Sequence, residues 1–217
     1  MLHAVTYAFL DSLNVLLIGI VVALGIMLPE RSRYRHVVGV LIVGDWLGVF
    51  LLALSTMFIF DQLGDVVRKA VSSPIFGWLL IFVGILSIVM TARGGDSQAM
   101  VAKFLPPLHT PSFRTLIMGL FIGLAQSVTS VPFFAGIAVL SAGDFSWMTR
   151  YLGMIVYASI ALSLPTLSAL MMVSIRSRPT SRAAVLFQAM RGRPRLASQI
   201  AGYTVGIALI LMGSFHL

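Results

Sequence analysis

Two carboxylates, Asp11 and Asp45, stand inside otherwise apolar stretches of the chain. A carboxylate in hydrocarbon costs about 2.5–3.5 kcal/mol on insertion scales, and it marks a functional position unless it can escape to the interface. Asp45 lies about 12 Å into an apolar segment that starts at Val37, at 1.5 Å per residue, which places it close to a membrane midplane. No Lys or Arg lies well inside any apolar stretch, so no fixed cation is available to neutralise it. Asp45 is therefore protonated, binds a cation, or is held by hydroxyl and amide donors. The first two are ways of coupling an ion gradient to transport; the third is a structural aspartate hydrogen-bonded across helices.

Asp11 is followed by Ser12 and Asn14, and Asn14 falls on the same helix face three positions on. Both side chains can then point at one cavity. The alternative makes Asp11 or Ser12 an N-cap, with the helix proper running on to Leu28. A broken helix reconciles the two, because a half-helix N-terminus within the membrane presents free N–H groups to a substrate. In the second half of the chain Gln126, Ser127, Thr129 and Ser130 precede Val131-Pro132, whose proline removes a helical hydrogen bond in mid-segment. These hydroxyls and the freed carbonyl can coordinate a substrate or ion, or the hydroxyls can bond their own helix backbone. Pro165 predicts a similar kink further on.

Metal and enzyme readings find little support. His3, His36, His109 and His216 lie at termini or in loops without ligand spacing, and cysteine is absent. Nucleophile elbows, phosphate loops and HExxH patterns are missing as well. The expectation is no cofactor, no metal centre and no enzymatic activity.

The elements that must position these residues are set by composition. Hydrophobic residues make up 59% and charged residues 10% of the 217, far from the roughly one quarter charged of a soluble domain. Together with a mean hydropathy of +1.00, this places the chain in a bilayer as an all-α integral membrane protein. A helix needs about 20 apolar residues to cross, and six segments qualify: 5–28, 37–60, 75–92, 115–142, 151–175 and 196–217. The stretches between them, among them Asp61 to Lys69, carry Pro, Gly and charge and read as loops.

The net charge of +8 would suggest nucleic acid in a soluble protein, but here the basic residues sit in loops. The first, third and fifth loops are the basic ones, and positive loops stay in the cytoplasm, so both termini are expected outside the cytoplasmic membrane. The fifth loop, 176–195, carries Arg176, Arg178, Arg182, Arg191, Arg193 and Arg195 around an apolar run. Those arginines either only fix topology or hold a short helix on anionic lipid.

An internal repeat is also visible. Leu10-Asp11-Ser12-Leu13-Asn14 aligns with Ala125-Gln126-Ser127-Val128-Thr129, and Asp45 in the second segment meets Ser159 in the fifth. Phe76-Gly77-Trp78 meets Ala201-Gly202-Tyr203. Residues 1–92 and 115–217 then form two three-helix repeats joined by a cytoplasmic linker, 93–114. Three spans per half make the repeat inverted, a recurring plan of secondary transporters with the site where the halves meet.

The Asp11-Ser12-Leu13-Asn14 opening before a long aliphatic run resembles the first segment of the LysE superfamily of small exporters. Within it the likeness is to the actinobacterial sulfolipid and peptidoglycolipid addressing proteins, as are the three-plus-three layout and the Pro132 segment. Val15 stands where that superfamily often has proline, which predicts a first helix less broken than in relatives. The resemblance implies export of a cell-envelope lipid or glycolipid, or of a small solute such as a cationic amino acid or metal ion. The thiol-electron carriers of the superfamily need cysteine pairs, which this chain lacks. A different reading is a non-transporting accessory subunit of an envelope-assembly complex, docked through the fifth loop. The expected partners are the bilayer and its anionic lipids, a lipid or solute substrate, and an assembly complex or a second copy, with no nucleic acid.

Overall fold

The computed structural model describes residues 2–28, 33–93, 111–143, 145–177 and 194–216. Every described element is helical. In chain order they are α1 (Leu2–Asp11), α2 (Val15–Met27), α3 (Tyr34–Val71), α4 (Pro74–Arg93), α5 (Phe113–Val128), α6 (Val131–Ala142), α7 (Trp147–Ala161), α8 (Ser163–Ser177) and α9 (Pro194–His216). Among the described residues two helices, 34–66 and 74–93, are long and apolar enough to cross a membrane; counting each bent pair as one span raises that to five. In α9 the apolar portion is the shorter Gly206–Phe215.

The bends fall where the backbone is capped or lacks a donor. Between α1 and α2, bent by 45°, Asn14 caps the new helix by accepting from the Leu17 amide at 3.1 Å. Between α5 and α6, bent by 79°, Ser130 accepts from the Phe133 amide at 3.1 Å, and Pro132 occupies the first turn, where its missing N–H costs nothing. Between α7 and α8 the angle is 42°, and Pro165 has no N–H to offer the Ala161 carbonyl.

The first segment is broken, with Asn14 supplying the cap that starts α2. The fourth segment, 115–142, breaks next to Pro132 into α5 and α6, as its proline predicts. One expectation is corrected. The stretch from Asp61 to Lys69 is not a loop: α3 continues through it to Val71, with a departure from helical dihedrals at Gly64. Polar residues beyond the hydrocarbon do not stop helical structure, which resumes past a kink at Gly64 and ends where Ser72-Ser73-Pro74 follows.

Glycine sets two helix contacts. A Cβ on Gly44 or Gly48 of α3 would strike the Leu116 or Leu120 carbonyl of α5, and one on Gly119 or Gly123 would strike the Leu41 or Asp45 carbonyl of α3. The small-residue face of α5 is therefore used within the chain, for backbone-to-backbone contact with α3. The second contact joins α4 and α9, where a Cβ on Gly84 would lie 2.7 Å from the Gly206 carbonyl and one on Gly213 2.6 Å from the Gly77 carbonyl.

The outward face is apolar. Trp78, Phe82, Met90, Phe121, Leu170 and Phe215 are all exposed, a surface suited to hydrocarbon rather than water. Trp147 and Tyr151 stand together at the start of α7, in the manner of an interfacial aromatic belt. Beside them Arg150 pairs with Asp61 at 2.8 Å, so the end of the apolar part of α3 and the beginning of α7 share one end of the bundle.

Candidate functional site

All three bends converge on one cavity of about 510 Å³. Leu10, Asp11, Leu13 and Asn14 line it from the first bend, Gln126, Ser127, Thr129, Ser130, Val131 and Pro132 from the second, and Ala161 and Leu162 from the third. Val83, Leu86, Ser87, Met90 and Thr91 of α4 form the facing wall, with Val49 and Leu209. One side is polar and the other largely apolar. Thr129 on the first side and Leu86 and Met90 on the second are exposed, so the cavity is open rather than sealed.

Asp11 sits at the C-terminal end of α1, where its Oδ1 accepts from the Ser130 hydroxyl and its Oδ2 faces the Tyr157 hydroxyl at 3.5 Å. Ser130 thus serves the α6 cap and Asp11 together. Tyr157 also donates to the Pro132 carbonyl at 3.1 Å. The residues at the two interruptions are therefore bonded to each other across the site.

Asp45 is fully buried and does not line the cavity. Its two oxygens accept from Gln126 Nε2 at 2.9 and 3.0 Å. Gln126 stands between Asp45 and the cavity, and its Oε1 is buried with no hydrogen-bond partner among the described residues. A buried amide oxygen left without a donor is costly, and here it belongs to a cavity-lining residue.

The remaining predicted positions divide. Ser12 is buried but donates to the Phe9 carbonyl at 2.6 Å, so its hydroxyl serves its own helix. Thr129 lines the cavity and donates to the Gln126 carbonyl at 3.0 Å. Ser159 is on the bundle's exposed surface, outside the cavity, where it receives the Trp46 indole N–H at 3.3 Å and donates to the Ile155 carbonyl.

Arg176 points its guanidinium at the Gly25 and Leu28 carbonyls, 2.6 and 2.9 Å away, and lies over the Tyr34 ring. It closes the C-terminus of α2, where a cation complements the helix dipole. Arg178, Arg182, Arg191 and Arg193 lie outside the described residues; Arg195 falls in the first turn of α9.

No family model, curated protein or solved structure matches the chain.

Among the described residues no cluster of three or more His, Asp or Glu side chains is placed to hold a metal ion. Of the described residues that line the cavity, only Asp11 is ionisable. The arrangement offers one carboxylate, a spare amide oxygen, several hydroxyls and an apolar wall. That set can bind and orient a ligand.

Sequence reasoning missed Tyr157, Ser87 and Thr91. A tyrosine in the run Met154-Ile155-Val156-Tyr157 reads as packing, and nothing local ties it to Asp11, 146 positions away.

Proposed function

We propose that this chain is a small secondary transporter of the cytoplasmic membrane, an exporter working by gradient-coupled alternating access. Six spans form two inverted three-helix repeats, with both termini outside the cytoplasm. The observation that carries the reading is the cavity at the meeting point of the broken helices, lined by Asp11 and separated from buried Asp45 only by Gln126.

The repeat is supported by matching caps. The half-helix after each break closes in the same way, α2 at Leu28 with its N–H on the Leu24 carbonyl and α6 at Gly143 with its N–H on the Val139 carbonyl. Both caps are extended, with φ −72°, ψ 135° and φ −73°, ψ 146°. The glycines of α4 and α9 support it too, because Gly77 and Gly84 have the same spacing as Gly206 and Gly213. That pairing shifts the register of the third and sixth spans by one helical turn, matching Gly77 with Gly206 rather than Gly202.

The cargo we favour is an amphiphile such as a cell-envelope lipid or glycolipid. The cavity joins a polar side to an apolar one, and in this reading its mouth faces the bilayer, so a tail stays in the lipid while the head occupies the site. A small cationic solute, such as a cationic amino acid or a metal ion, is the other cargo class, favoured by the carboxylate and the absence of basic residues among those lining the cavity.

The test is transport by purified protein in proteoliposomes under an imposed proton gradient, comparing wild type with Asp45→Asn. Candidate cargoes are a fluorescent glycolipid, basic amino acids and divalent metal ions. Movement of one cargo that loses its gradient dependence in Asp45→Asn supports the reading. No movement of any cargo by a folded protein overturns it in favour of an accessory subunit.

A further inference from the structure

A second cavity lies behind the first. It has a volume of about 220 Å³ and is lined by Ala4 and Val5 of α1, Leu140 of α6, and Thr149, Gly153 and Tyr157 of α7, among others. The two cavities belong to opposite halves of the bundle. Trp147 and Asp61 share one end through the Arg150 ion pair, and α4 starts at that end, three residues after α3 stops. Running down α4 from Pro74, Ser87 and Thr91 lie toward the far end, close to Arg93, so the larger cavity reaches that way. Thr149 and Ala4 belong to the first turns of α7 and α1, so the smaller cavity reaches toward the Trp147 end.

Tyr157 stands where they approach each other. Tyr157 lines the smaller cavity, and its hydroxyl lies 3.5 Å from Asp11 Oδ2, which lines the larger. The phenol has a single proton and two acceptors, the Pro132 carbonyl at 3.1 Å and the carboxylate, so the second contact is weak. The ring itself is only 2% exposed, edge-on to Phe133 and seated in a notch left by Gly136, where a Cβ would collide with its edge. Empty volume adjoins it on the Thr149 side, so the ring has space to turn into once it leaves the notch.

Resting on the transporter reading above, we propose that Tyr157 is the gate of the permeation route. Seated on Gly136 and bonded to Pro132 and Asp11, it closes the larger cavity to the Trp147 face. Swung into the smaller cavity, it joins the two into one passage. The smaller cavity is then the exit vestibule, and its nearly all-apolar lining suits the apolar part of an amphiphilic cargo better than a bare ion.

The chain has no cysteine, so a single reporter thiol has no background. Ser87→Cys places one in the larger cavity, away from the gate, and a charged, membrane-impermeant methanethiosulfonate is applied from the Trp147 face. A minor open state is populated at about 0.1–10%, which leaves room for a labelling rise of about tenfold when the gate is removed. Tyr157→Ala is expected to give that rise, and Tyr157→Phe a smaller one. Gly136→Ala, which fills the notch and unseats the Tyr157 ring without removing it, is expected to accelerate labelling as well, and it serves if Tyr157→Ala does not fold. Unchanged rates in folded Gly136→Ala and Tyr157→Phe proteins would overturn the gate. Because labelling needs no cargo, accelerated labelling beside absent transport in proteoliposomes keeps the gate and removes the transporter reading instead.

Discussion

The amide of Gln126 holds both oxygens of Asp45, at 2.9 and 3.0 Å, and so joins α3 to α5 just before the 79° bend. A hydrogen bond contributes about 0.5–1.5 kcal/mol, and removing one partner leaves the other buried and unmet at a further cost of about 1–3 kcal/mol. Gln126→Leu and Asp45→Leu should each destabilise the protein by about 2 kcal/mol in detergent. The double variant should cost clearly less than the two together, since it leaves no orphan. Additive losses in a denaturation cycle would show that the pair is not coupled.

The contact of α3 with α5 should be intolerant of a single methyl group. A Cβ at Gly44 or Gly119 meets backbone rather than a side chain that can turn away. Overpacking of this kind costs about 1–3 kcal/mol. Gly44→Ala and Gly119→Ala should both lower the melting temperature, whereas Gly39→Ala, with nothing within 4 Å of its Cβ, should not.

Two serines predicted alike from sequence should behave differently. Ser12 donates to its own helix, so Ser12→Ala should leave stability and transport close to wild type. Ser130 caps α6 and also holds Asp11. Ser130→Ala should cost about 1 kcal/mol as a lost cap and reduce transport beyond what that stability loss explains. Thermal melts alongside flux assays separate the two effects.

The arginines at opposite ends of the bundle should also differ in weight. Arg150 and Asp61 form a partly exposed pair, and such pairs contribute about 0–1 kcal/mol. Arg176 binds two carbonyls at the end of α2 and stacks on Tyr34. Arg176→Gln should therefore destabilise by about 1–3 kcal/mol, more than Asp61→Asn, when both are compared by chemical denaturation.

Much of this was legible from residue types. Proline at 132 cannot donate, so a break near Ser130 follows from chemistry alone, and the polar residues before it were bound to crowd the interruption. The break at Asn14 was harder to place, because Val15 carries a normal N–H and only the cap formed by the Asn14 side chain shows where α2 begins. The length of α3 was hidden by Asp61, Asp65, Arg68 and Lys69, which mark the edge of an apolar stretch without marking the end of a helix. Ser159 matched Asp45 in the alignment yet faces outward, since a repeat aligns backbone positions and leaves the facing of each side chain to local packing. Tyr157 had no signal at all, because the glycine that seats it lies in another helix.

The contact between α4 and α9 also has a bearing on how the protein is made. Their glycines bring backbone against backbone, yet the four described helices α5 to α8 are synthesised between them. A ribosome releases α4 into the bilayer long before its mate emerges, and α4 waits there with Gly77 and Gly84 facing lipid. The facing wall of the larger cavity carries Ser87 and Thr91 on that same waiting helix. The cavity is therefore not walled on that side until α9 brings Leu209, so its assembly is postponed past the synthesis of every described residue that gives it polarity.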